Sequence, residues 1–548
     1  MDLQTVQPES VRKEVMSLIA RYDTLKTQRS VWESHWQELG DYMVPRKADI
    51  TKKRTAGDKR TDLIFDGTAI HAAELLAASL HGMLTSASTP WFSLRFTDPM
   101  LDADDMAKEW LESAQNDMYN AFAKSNFQEQ IHELYTDLVL FGTAVMFIEA
   151  DDKTVLRFQT RHIAECYLSE DAHGRVDTIV RSYKLPGRDA RKLFGENVGP
   201  VLWKQIEEDP LKLIELVHFV MPRDDYDTGM PDSLNMPWSS CYVDAANKWL
   251  VSEGGFRENP YVCPRYLKSS FEVGYGRSPS MTALADCKML QEMSKTTIKA
   301  AQKMVDPPLL VPDDGFILPI RVTPGGLNFY RSGTRDRIET LTTAQATPLG
   351  LQIEDQRREA IRQAFYVDQL QLRESPNMTA TEVISRNEQR MRLLGPVLGR
   401  LQAELLQPLI QRSFNLMAEA RLFDAAPEYM QTGNIDIEYV SPLAKAQRQG
   451  EIDSTLRMFE ILNPLAQIEP GIFDYVDMDG LVKFVARTVG VPASVLRSEN
   501  EVMGIRDERQ KAQAAQAELA QAAQAAESAG AAAPALKAIG QMGGGTQQ

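Results

Sequence analysis

The chain of 548 residues contains only four cysteines, Cys166, Cys241, Cys263 and Cys287, and no two of them form a C-x-x-C pair. This scattered spacing indicates neither a disulfide framework nor a zinc site, and it fits a reducing compartment. The seven histidines are also sparse. No two of them are three or four residues apart, the spacing that places two metal ligands on one face of a helix. We therefore expect no metal and no cofactor.

Long apolar runs are absent as well. The most apolar window, Ile70 to Leu84, is interrupted by His71, Glu74 and His81 and is too short to span a bilayer. The segment Met1 to Gln7 lacks the basic, apolar and small-residue pattern of a secretion signal. The sequence therefore predicts no membrane segment.

The chain lacks the short motifs of nucleotide-driven and hydrolytic enzymes. It has no G-x-x-x-x-G-K-[ST], no G-x-S-x-G, no H-E-x-x-H and no glycine triplet of the dinucleotide-binding type. The paired acids Asp104-Asp105 and Asp313-Asp314 are explained by a helix start and by a turn. We therefore expect no enzyme activity and assign no catalytic residue.

Basic residues are the minority charge, with 60 Lys and Arg against 76 Asp and Glu, a net charge of −16. A surface that grips DNA needs clustered cations, so binding over the whole surface is excluded, whereas passage of DNA is not. The run Arg46 to Arg60 is locally basic and is predicted to be an exposed loop. Lys295, Lys299 and Lys303 form an i, i+4, i+8 row that extends towards Lys288. This row is either a solvated helix face or a stripe facing a DNA channel.

What is present is a normal share of hydrophobic residues, 43%, arranged with clear periodicity. Apolar spacings of three, four and seven predict one helix from about Ser10 to Tyr42, and its Trp32 and Trp36 are expected in the core. Helices rich in small or apolar residues follow near Asp66, Asp104 to Lys124 and Phe127 to Phe141. The expected strands are Thr143 to Ala150, Thr154 to Gln159, Val176 to Tyr183, Leu213 to Met221, Ser240 to Val243 and Val262 to Leu267. The fold class is therefore α+β, mainly helical.

Two polar helices of matched length are predicted between Gly274 and Arg373. Ser278-Pro279 supplies an N-cap and a first-turn proline for the first helix, and Pro307-Pro308 ends it. Thr347-Pro348 starts the second, which ends near Arg373, so each has about 26 residues or roughly 39 Å. Their apolar stripes are too narrow to anchor them in the core of one chain. We therefore expect them to pack against other subunits.

The intervening segment, Asp306 to Ala346, is rich in proline and glycine and predicts a small strand-and-turn module. After the second helix, Glu374 to Met378 forms a loop, and Thr379-x-x-Glu382 is a capping box that starts a long helix. This helix extends to about Leu422, with kinks expected at Gly395-Pro396 and Pro408.

The C-terminal region has a weaker pattern. One strand, Ile435 to Val440, is followed by short helices to about Leu496. The tract Lys511 to Ala535 consists almost entirely of Ala, Gln and Glu, so a helix there is marginal without other contacts. The tail Gly540 to Gln548 is predicted to be disordered.

Five segments together resemble the portal, or head-to-tail connector, proteins of short-tailed bacteriophages: Lys26 to Arg46, Asp66 to Phe92, Phe141 to Glu149, Gly274 to Pro279 and Met378 to Val383. The resemblance covers nearly the whole chain. It implies a ring of twelve subunits at one capsid vertex, with wing, stem, clip and crown regions around a central channel.

The resemblance also implies how the chain is divided. The expected regions are 1–273, the wing; 274–305, stem helix one; 306–346, the clip; 347–373, stem helix two; 374–379, the channel or tunnel loop; 380–425, the long wing helix; 426–510, the crown; and 511–548, the Ala/Gln-rich tract and tail.

The same resemblance implies the roles of particular residues. For Lys295, Lys299 and Lys303, the prediction that they face the DNA channel rests on their spacing alone. The channel loop would consist of Glu374, Ser375, Pro376, Asn377 and Met378, and the clip docking surface of Pro312, Asp313, Asp314, Gly315, Arg331 and Arg335. The implied partners are further copies of the chain, the terminase packaging motor, tail adaptors, the major capsid and scaffolding proteins, and double-stranded DNA. The expected location is the virion, after assembly in the host cytoplasm.

Two other function classes stay open at this point. The long helices also fit a helical scaffold protein, although sustained heptads are missing and the α+β third has no place in such a protein. A DNA-processing enzyme would require a cluster of carboxylates or a phosphate-binding loop, and the sequence shows neither.

Overall fold

The computed structural model describes residues 7–52, 54–55, 57–230, 232–310, 329, 339–340, 348–370, 394–426 and 435–439, together with 454–455, 457–462, 464, 476–489, 497, 501–517 and 519. By their contacts the residues form two units. The first is Met1–Ser93, Ala114–Ala425 and Ile437–Ala446, and the second is Leu94–Ser113, Ala426–Asp436 and Gln447–Gln548. No helix in the described part of the chain is long and apolar enough to cross a membrane.

Helices make up most of the described elements. They are α1 Glu9–Met43, α2 Thr68–Leu84, α3 Pro99–Ala103, α4 Asp105–Lys124, α5 Phe127–Phe141, α6 Gly187–Phe194, α7 Pro200–Glu208, α8 Pro279–Val305, α9 Pro348–Ala364, α10 Val367–Leu370, α11 at 394–419, α12 Met478–Val489 and α13 at 501–517. Within α11, residues Gln402–Leu406 form a π-helical turn that lies just before the kink expected at Pro408.

The strands are β1 Phe92–Phe96, β2 Val145–Asp151, β3 Val155–Arg161, β4 Cys166–Glu170, β5 Val176–Pro186, β6 Leu213–Pro222, β7 Trp238–Asp244, β8 Trp249–Phe256, β9 Tyr261–Val262, β10 Leu309–Leu310, β11 Glu339–Thr340 and β12 Ile435–Tyr439. In the first unit, β4-β5-β6-β7-β8 is an antiparallel meander, and β3-β2-β9 is a smaller antiparallel sheet. The mainly helical α+β class is therefore confirmed.

Helix α1 packs one face on the five-stranded sheet. Its residues Val15, Leu18 and Leu25 are buried against residues of β5, β6 and β7. Tyr22 meets Tyr167 of β4 edge to face, with ring centroids 5.0 Å apart. The apolar spacing of this helix thus reflects burial on a sheet, which is the ordinary origin of a one-sided stripe.

Two aromatic clusters fill the core beside this sheet. Trp36 is fully buried against Phe141 and Tyr275. Trp91 stacks with Phe127, and both belong to a cluster completed by further aromatic rings of α4 and β3. The expectation of core packing is confirmed for Trp36, whereas Trp32 beside it is only half-buried.

The two glycine-containing motifs FGTA and GYGRSP lie against each other. Gly142 has a φ of 76°, and a Cβ at this position would lie 2.4 Å from the carbonyl oxygen of Gly276. The backbone N–H of Gly276 donates to Thr143 Oγ1 at 2.8 Å. A side chain on either glycine would separate the two backbones, so the motifs act together to seat the start of α8.

The second predicted helix of the pair is shorter than expected. It was expected to continue to about Arg373, but α9 ends at Ala364 and a separate turn, α10, covers Val367–Leu370. Tyr366 has a φ of 58°, a left-handed conformation that a continuous helix does not permit. The adjacent Phe365 is fully buried, so its burial compensates for the interruption.

The second unit is mainly helical in its described part. It contains α3, α12 and α13, and Arg506 of α13 forms an exposed ion pair with Asp479 of α12 at 2.5 Å. Residues 511–517 of the Ala/Gln-rich tract are helical and exposed. The tail Gly540 to Gln548 lies outside the described residues.

Candidate functional site: a helix pair anchored at one end

Helix α8 begins at a rigid cap. Ser278 Oγ accepts a hydrogen bond from the Met281 N–H at 3.1 Å and donates to the Leu140 carbonyl at 2.8 Å. Pro279 occupies the first helical turn, as predicted. Ser280 Oγ adds a second bond to α5, at the Val139 carbonyl, at 2.8 Å. The first turn of α8 is therefore fixed to the end of α5.

The first half of α8 is buried within its own chain. Ala283, Cys287, Leu290 and Ser294 recur at helical spacing and are all buried. The expectation that the stripe is too narrow to anchor α8 in one chain is therefore wrong for this half. The buried face of α8 includes polar side chains such as Gln291, which a count of apolar residues leaves out.

Gln291 joins α8 to the segment before α2. Its Oε1 accepts the backbone N–H groups of Phe65 at 2.6 Å and Asp66 at 2.9 Å, and its Nε2 donates to the Asp66 carbonyl at 2.7 Å. Gln291 is 2% exposed. One buried amide side chain thus binds three backbone groups of the segment that leads into α2.

Asp66 also binds the second helix of the pair. Its Oδ2 accepts from Arg358 Nε of α9 at 2.9 Å. Burial raises the pKa of Asp66, but hydrogen bonds from Thr68 and Arg358 outweigh this effect and leave the pKa lowered. Asp66 is therefore held as a carboxylate at the meeting point of α2, α8 and α9.

The contact between α8 and α9 is itself polar and buried. Glu354 is 3% exposed and accepts from Thr297 Oγ1 at 2.5 Å and from Arg358 Nη2 at 3.0 Å. One helical turn further along α9, Arg357 Nη1 binds Asp286 Oδ1 of α8 at 2.7 Å. The bonds from Thr297 to Glu354 and from Arg357 to Asp286 cross between the helices, so a sliding motion would break both of them.

Beyond Ser294 the apolar stripe of α8 continues but is uncovered in the single chain. Ile298 is 44% exposed and Val305 is 87% exposed, although both continue the spacing of the buried face. Met304 is 58% exposed, and Leu351 at the facing end of α9 is 54% exposed. One end of the helix pair is thus fixed to the rest of the chain, whereas the other end exposes apolar side chains.

The predicted lysine row lies along α8 with unequal surroundings. Lys295 lies 5.7 Å from the Phe65 ring centroid and 3.4 Å from Glu292. Lys299 and Lys303 are exposed towards the free end of the helix. Lys288, at the buried end, pairs with Glu38 of α1 at 3.0 Å.

The other predicted site residues lie outside the described part of the chain. This holds for the channel-loop segment Glu374 to Met378 and for the capping box at Thr379 and Glu382. It holds also for the clip docking residues, which are Pro312, Asp313, Asp314, Gly315, Arg331 and Arg335. Within the segment Asp306 to Ala346, predicted to be a strand-and-turn module, the described residues show β10 paired antiparallel with β11.

The basic run from Arg46 to Arg60 is largely neutralised. Lys47 is 7% exposed and pairs with Glu133 at 2.5 Å and with Asp137. Lys52 and Arg54 both bind Asp41, and Arg60 binds Asp49. The prediction of an exposed loop is therefore wrong at Lys47, whose charge is used to bind α5 rather than a partner.

Arg265 forms a second buried charge cluster. Its side chain is 3% exposed and contacts Glu170 of β4 and both carboxylate oxygens of Glu404, which lies in the π-helical turn of α11. Lys268 completes the cluster at Glu170, at 2.6 Å. The cluster ties α11 to the sheets of the first unit. Sequence spacing gave no sign of it because Arg265 and Lys268 lie 95 or more residues from the acids they bind.

The structure brings together two histidines that are distant in sequence. The rings of His81 of α2 and His132 of α5 lie 5.7 Å apart, and His81 Nε2 is 2.7 Å from Gln128 Oε1. Burial and the neighbouring His81 lower the pKa of His132. Among the described residues, no group of three or more His, Cys, Asp or Glu side chains could hold a metal ion.

All four cysteines are free and buried. Burial raises the pKa of Cys166 to about 12 and that of Cys287 to about 11. These thiols are therefore protonated and inert at neutral pH.

Comparisons with known proteins agree with the sequence motifs. The family model of the bacteriophage head to tail connecting protein matches residues 16–496. Since this match covers most of the chain, the chain belongs to the family of bacteriophage head-to-tail connecting proteins, and the resemblance inferred from the motifs is confirmed.

The relatives carry consistent names. The chain is 32% identical over 505 residues to the probable portal protein of Bordetella phage BPP-1, covering 90% of both chains. It is 31% identical over 507 residues to the portal protein of Salmonella phage epsilon15, covering 90% of this chain and 91% of the relative. A more distant relative, 21% identical over 72% of both chains, is the portal protein of Enterobacteria phage T3.

Proposed function

We propose that the protein assembles into a closed ring of identical subunits at one capsid vertex and serves as a passive conduit for double-stranded DNA during packaging and ejection. The observation that carries this proposal is the uncovered end of the helix pair. Residues 295–305 extend α8 by about 16 Å past its anchored part, and Ile298 and Val305 are exposed there. Covering each such side chain contributes about 1.5–3 kcal/mol.

A closed ring supplies that cover. In a cyclic assembly one face of each subunit contacts a different face of the next, so every helix pair gains a neighbour on both sides. The buried pairs at Asp66 and Glu354 hold the two helices in a fixed register, so the free ends are already ordered before assembly. Twelve subunits are the expected number for this family.

The charge of the chain suits a conduit in which DNA slides. Twelve copies of a −16 chain carry −192, which repels a duplex at close range over about 8 to 10 Å at moderate salt. Lys299 and Lys303, together with Lys295, would supply a few cations on the channel side of α8. Weak net repulsion with few cations centres the duplex, whereas strong phosphate binding would stall it.

The remaining regions take the roles implied by the family. Residues 306–346 form the clip, the docking platform for the terminase packaging motor and later for tail adaptors, and 374–379 form the channel loop. The motor must be a separate protein because the chain has no phosphate-binding loop. The wing and crown contact capsid and scaffolding proteins, and the protein acts in the virion after assembly in the host cytoplasm.

Negative-stain electron microscopy of the purified full-length protein tests the ring. We expect round particles with a central hole and a mass close to twelve chains. A well-folded monomer at high concentration would overturn the proposal. Rods would favour the scaffold function, and hydrolysis of ATP or cleavage of DNA by the purified chain would favour an enzyme.

Deletion of Pro312 to Arg337 tests the clip separately. We expect rings that still assemble but no longer bind the packaging motor or the tail. A matched control is deletion of Gly540 to Gln548, which is expected to leave both attachments intact. Collapse of the ring in the first variant would show that the clip lies elsewhere in the chain.

A further inference from the structure

The turn that precedes α8 presents an apolar surface from a fixed position. Phe271 is 80% exposed and Val273 is 62% exposed. Between them, the Glu272 side chain is only 9% exposed, because it turns inwards to Arg277. The two apolar side chains thus point outwards on either side of an inward-facing acid. We call Phe271 and Val273 the knob.

Ion pairs hold the turn at both of its ends. Lys268 Nζ binds Glu170 Oε2 at 2.6 Å, and Arg277 Nε donates to Glu272 Oε1 at 2.9 Å. The Gly274 N–H donates to Glu170 Oε1 at 2.8 Å, and the Arg277 guanidinium lies 5.3 Å from the Trp32 ring centroid. Binding of a partner to the knob therefore loses little conformational entropy, because the loop is already ordered.

The chemistry of the turn selects an apolar protein surface as its partner. Lys268 and Glu272, the charged residues on either side of the knob, are both paired within the chain. Phenylalanine has no polar group that contact with water would satisfy. The turn thus offers no free cation to a phosphate group and no free acid to a basic partner.

The same chain carries a surface that fits the knob. Thr282, Ala285 and Met289 share one face of α8, are uncharged and are exposed, with Met289 at 50%. They lie within about 15 Å of the start of the helix, and only a few residues separate that start from the knob. Rotation about a ring axis leaves the height of each residue unchanged, so a knob and a surface can meet between neighbouring subunits only at similar heights. The short chain between the knob and α8 allows this when the helix runs along the axis.

We propose that the knob of one subunit packs against Thr282, Ala285 and Met289 of α8 in an adjacent copy of the chain. This inference rests on the proposed ring. It places a contact between subunits at the anchored end of the helix pair, in addition to any contact that the exposed free ends make. It makes the contact heterologous, since the knob and its receiving surface are different parts of the chain.

Photo-cross-linking in the assembled full-length protein tests the contact. Phe271 is replaced by the photoreactive p-benzoylphenylalanine, rings are irradiated, and cross-linked peptides are mapped. We expect cross-links between chains that map to residues 282–293. The matched control places the same group at Leu211, which is 67% exposed, and is expected to give none in 282–293. Cross-links from position 271 that stay within one chain, or that map elsewhere, overturn the proposal.

Assembly measurements give a second readout. Phe271→Ser is expected to fold normally, because the side chain is exposed, but to raise the concentration for half-maximal ring formation at least tenfold. Phe271→Leu is expected to restore most of the assembly, and Leu211→Ser to leave it unchanged. If wild type and Phe271→Ser assemble equally, the knob contact is wrong while the ring stands. If the wild type forms no rings, the proposed function fails and the knob contact with it.

Discussion

Arg358 on α9 donates its Nε hydrogen to Oδ2 of Asp66, 292 residues earlier in the chain, at 2.9 Å. Asp66 also meets Gln291 of α8 through its backbone, so this carboxylate lies where three separate parts of the chain come together. Because the two residues are 292 positions apart, no local sequence pattern predicts this contact. It is the point at which the helix pair is attached to the rest of the first unit, and the first prediction follows from it.

Asp66→Asn removes the ion pair but keeps the size of the side chain. Because Arg358 is 28% exposed, the loss is expected to be about 1–2 kcal/mol, which lowers the hydrogen-exchange protection of α9 amides by roughly 5- to 30-fold. Since the pKa of Asp66 is lowered when folded, its contribution is full above the unfolded value near 3.8 and is lost below it. Wild type and variant are therefore expected to converge as the pH falls below 3.8 and through the lower pKa of the folded protein. The exposed Asp62→Asn is the control and is expected to change nothing.

Arg265→Met removes the buried cation that Glu170 and Glu404 share, although Lys268 still pairs with Glu170 and Arg400 with Glu404. The expected cost is about 3 kcal/mol, the low end for a broken buried pair, because each carboxylate keeps one other partner. Denaturant unfolding followed by tryptophan fluorescence measures this loss. Arg157→Met, at a pair whose arginine is 56% exposed, is expected to cost at most about 1 kcal/mol. Equal losses in the two variants would contradict the importance of the buried cluster.

His218→Asn tests the acid sensitivity of the first unit. Burial lowers the pKa of His218 to about 3, so the folded protein disfavours a proton that the unfolded chain accepts near pH 6.5. Stability is therefore full above pH 6.5 and declines towards pH 3 by about 1.4 kcal/mol per pH unit for this one group. The variant is expected to be less stable at pH 7, because the ring stacks on Tyr242 at 4.0 Å, but to show a shallower pH slope. An unchanged slope would contradict the prediction, and the exposed His173→Asn is its control.

Replacement of Lys295, Lys299 and Lys303 by Glu is expected to impair DNA packaging while rings still assemble. The physical reason is that the net charge of each subunit becomes six units more negative on the face of α8 that we propose lines the channel, and this face would then repel phosphate. Packaging efficiency is measured in extracts complemented with each variant, at low and at high salt. Because Lys295 already contacts Phe65 and Glu292, we expect Lys299→Glu with Lys303→Glu to reproduce most of the defect.

The matched control makes the same change in net charge at lysines outside α8 and α9. Lys13, Lys26 and Lys192 are exposed on α1 and α6, and their replacement by Glu adds the same six negative charges per subunit. We expect this variant to package normally. Equal packaging in the stem variant and the control would show that the lysine row does not face DNA.

Local signals in the sequence predicted local structure well. The cap at Ser278 and Pro279 placed the start of α8, and the period of α1 placed that helix within a residue of each end, Glu9 and Met43. Strands with clear alternation were also found, such as β6 at Leu213–Pro222. In each case the residues that decide the element lie within the element itself.

The elements that sequence reasoning missed depend on distant residues. The second helix of the pair is interrupted at Tyr366, next to Phe365, whose burial no local pattern indicates. The polar contacts of the helix pair were missed for the same reason. Asp66, Gln291 and Arg358 are ordinary polar residues in sequence, and only the fold brings their hydrogen bonds together. Strand β8, by contrast, was missed for a local reason, because its two glycines weaken its alternation.

The burial of all four thiols has a practical consequence for measuring assembly. A maleimide dye reacts with a thiolate at the surface, so the native protein offers it no ready target. One cysteine introduced at an exposed position then carries the whole label, without any native cysteine being removed. Fluorescence energy transfer between donor- and acceptor-labelled copies can therefore follow the joining of subunits in real time.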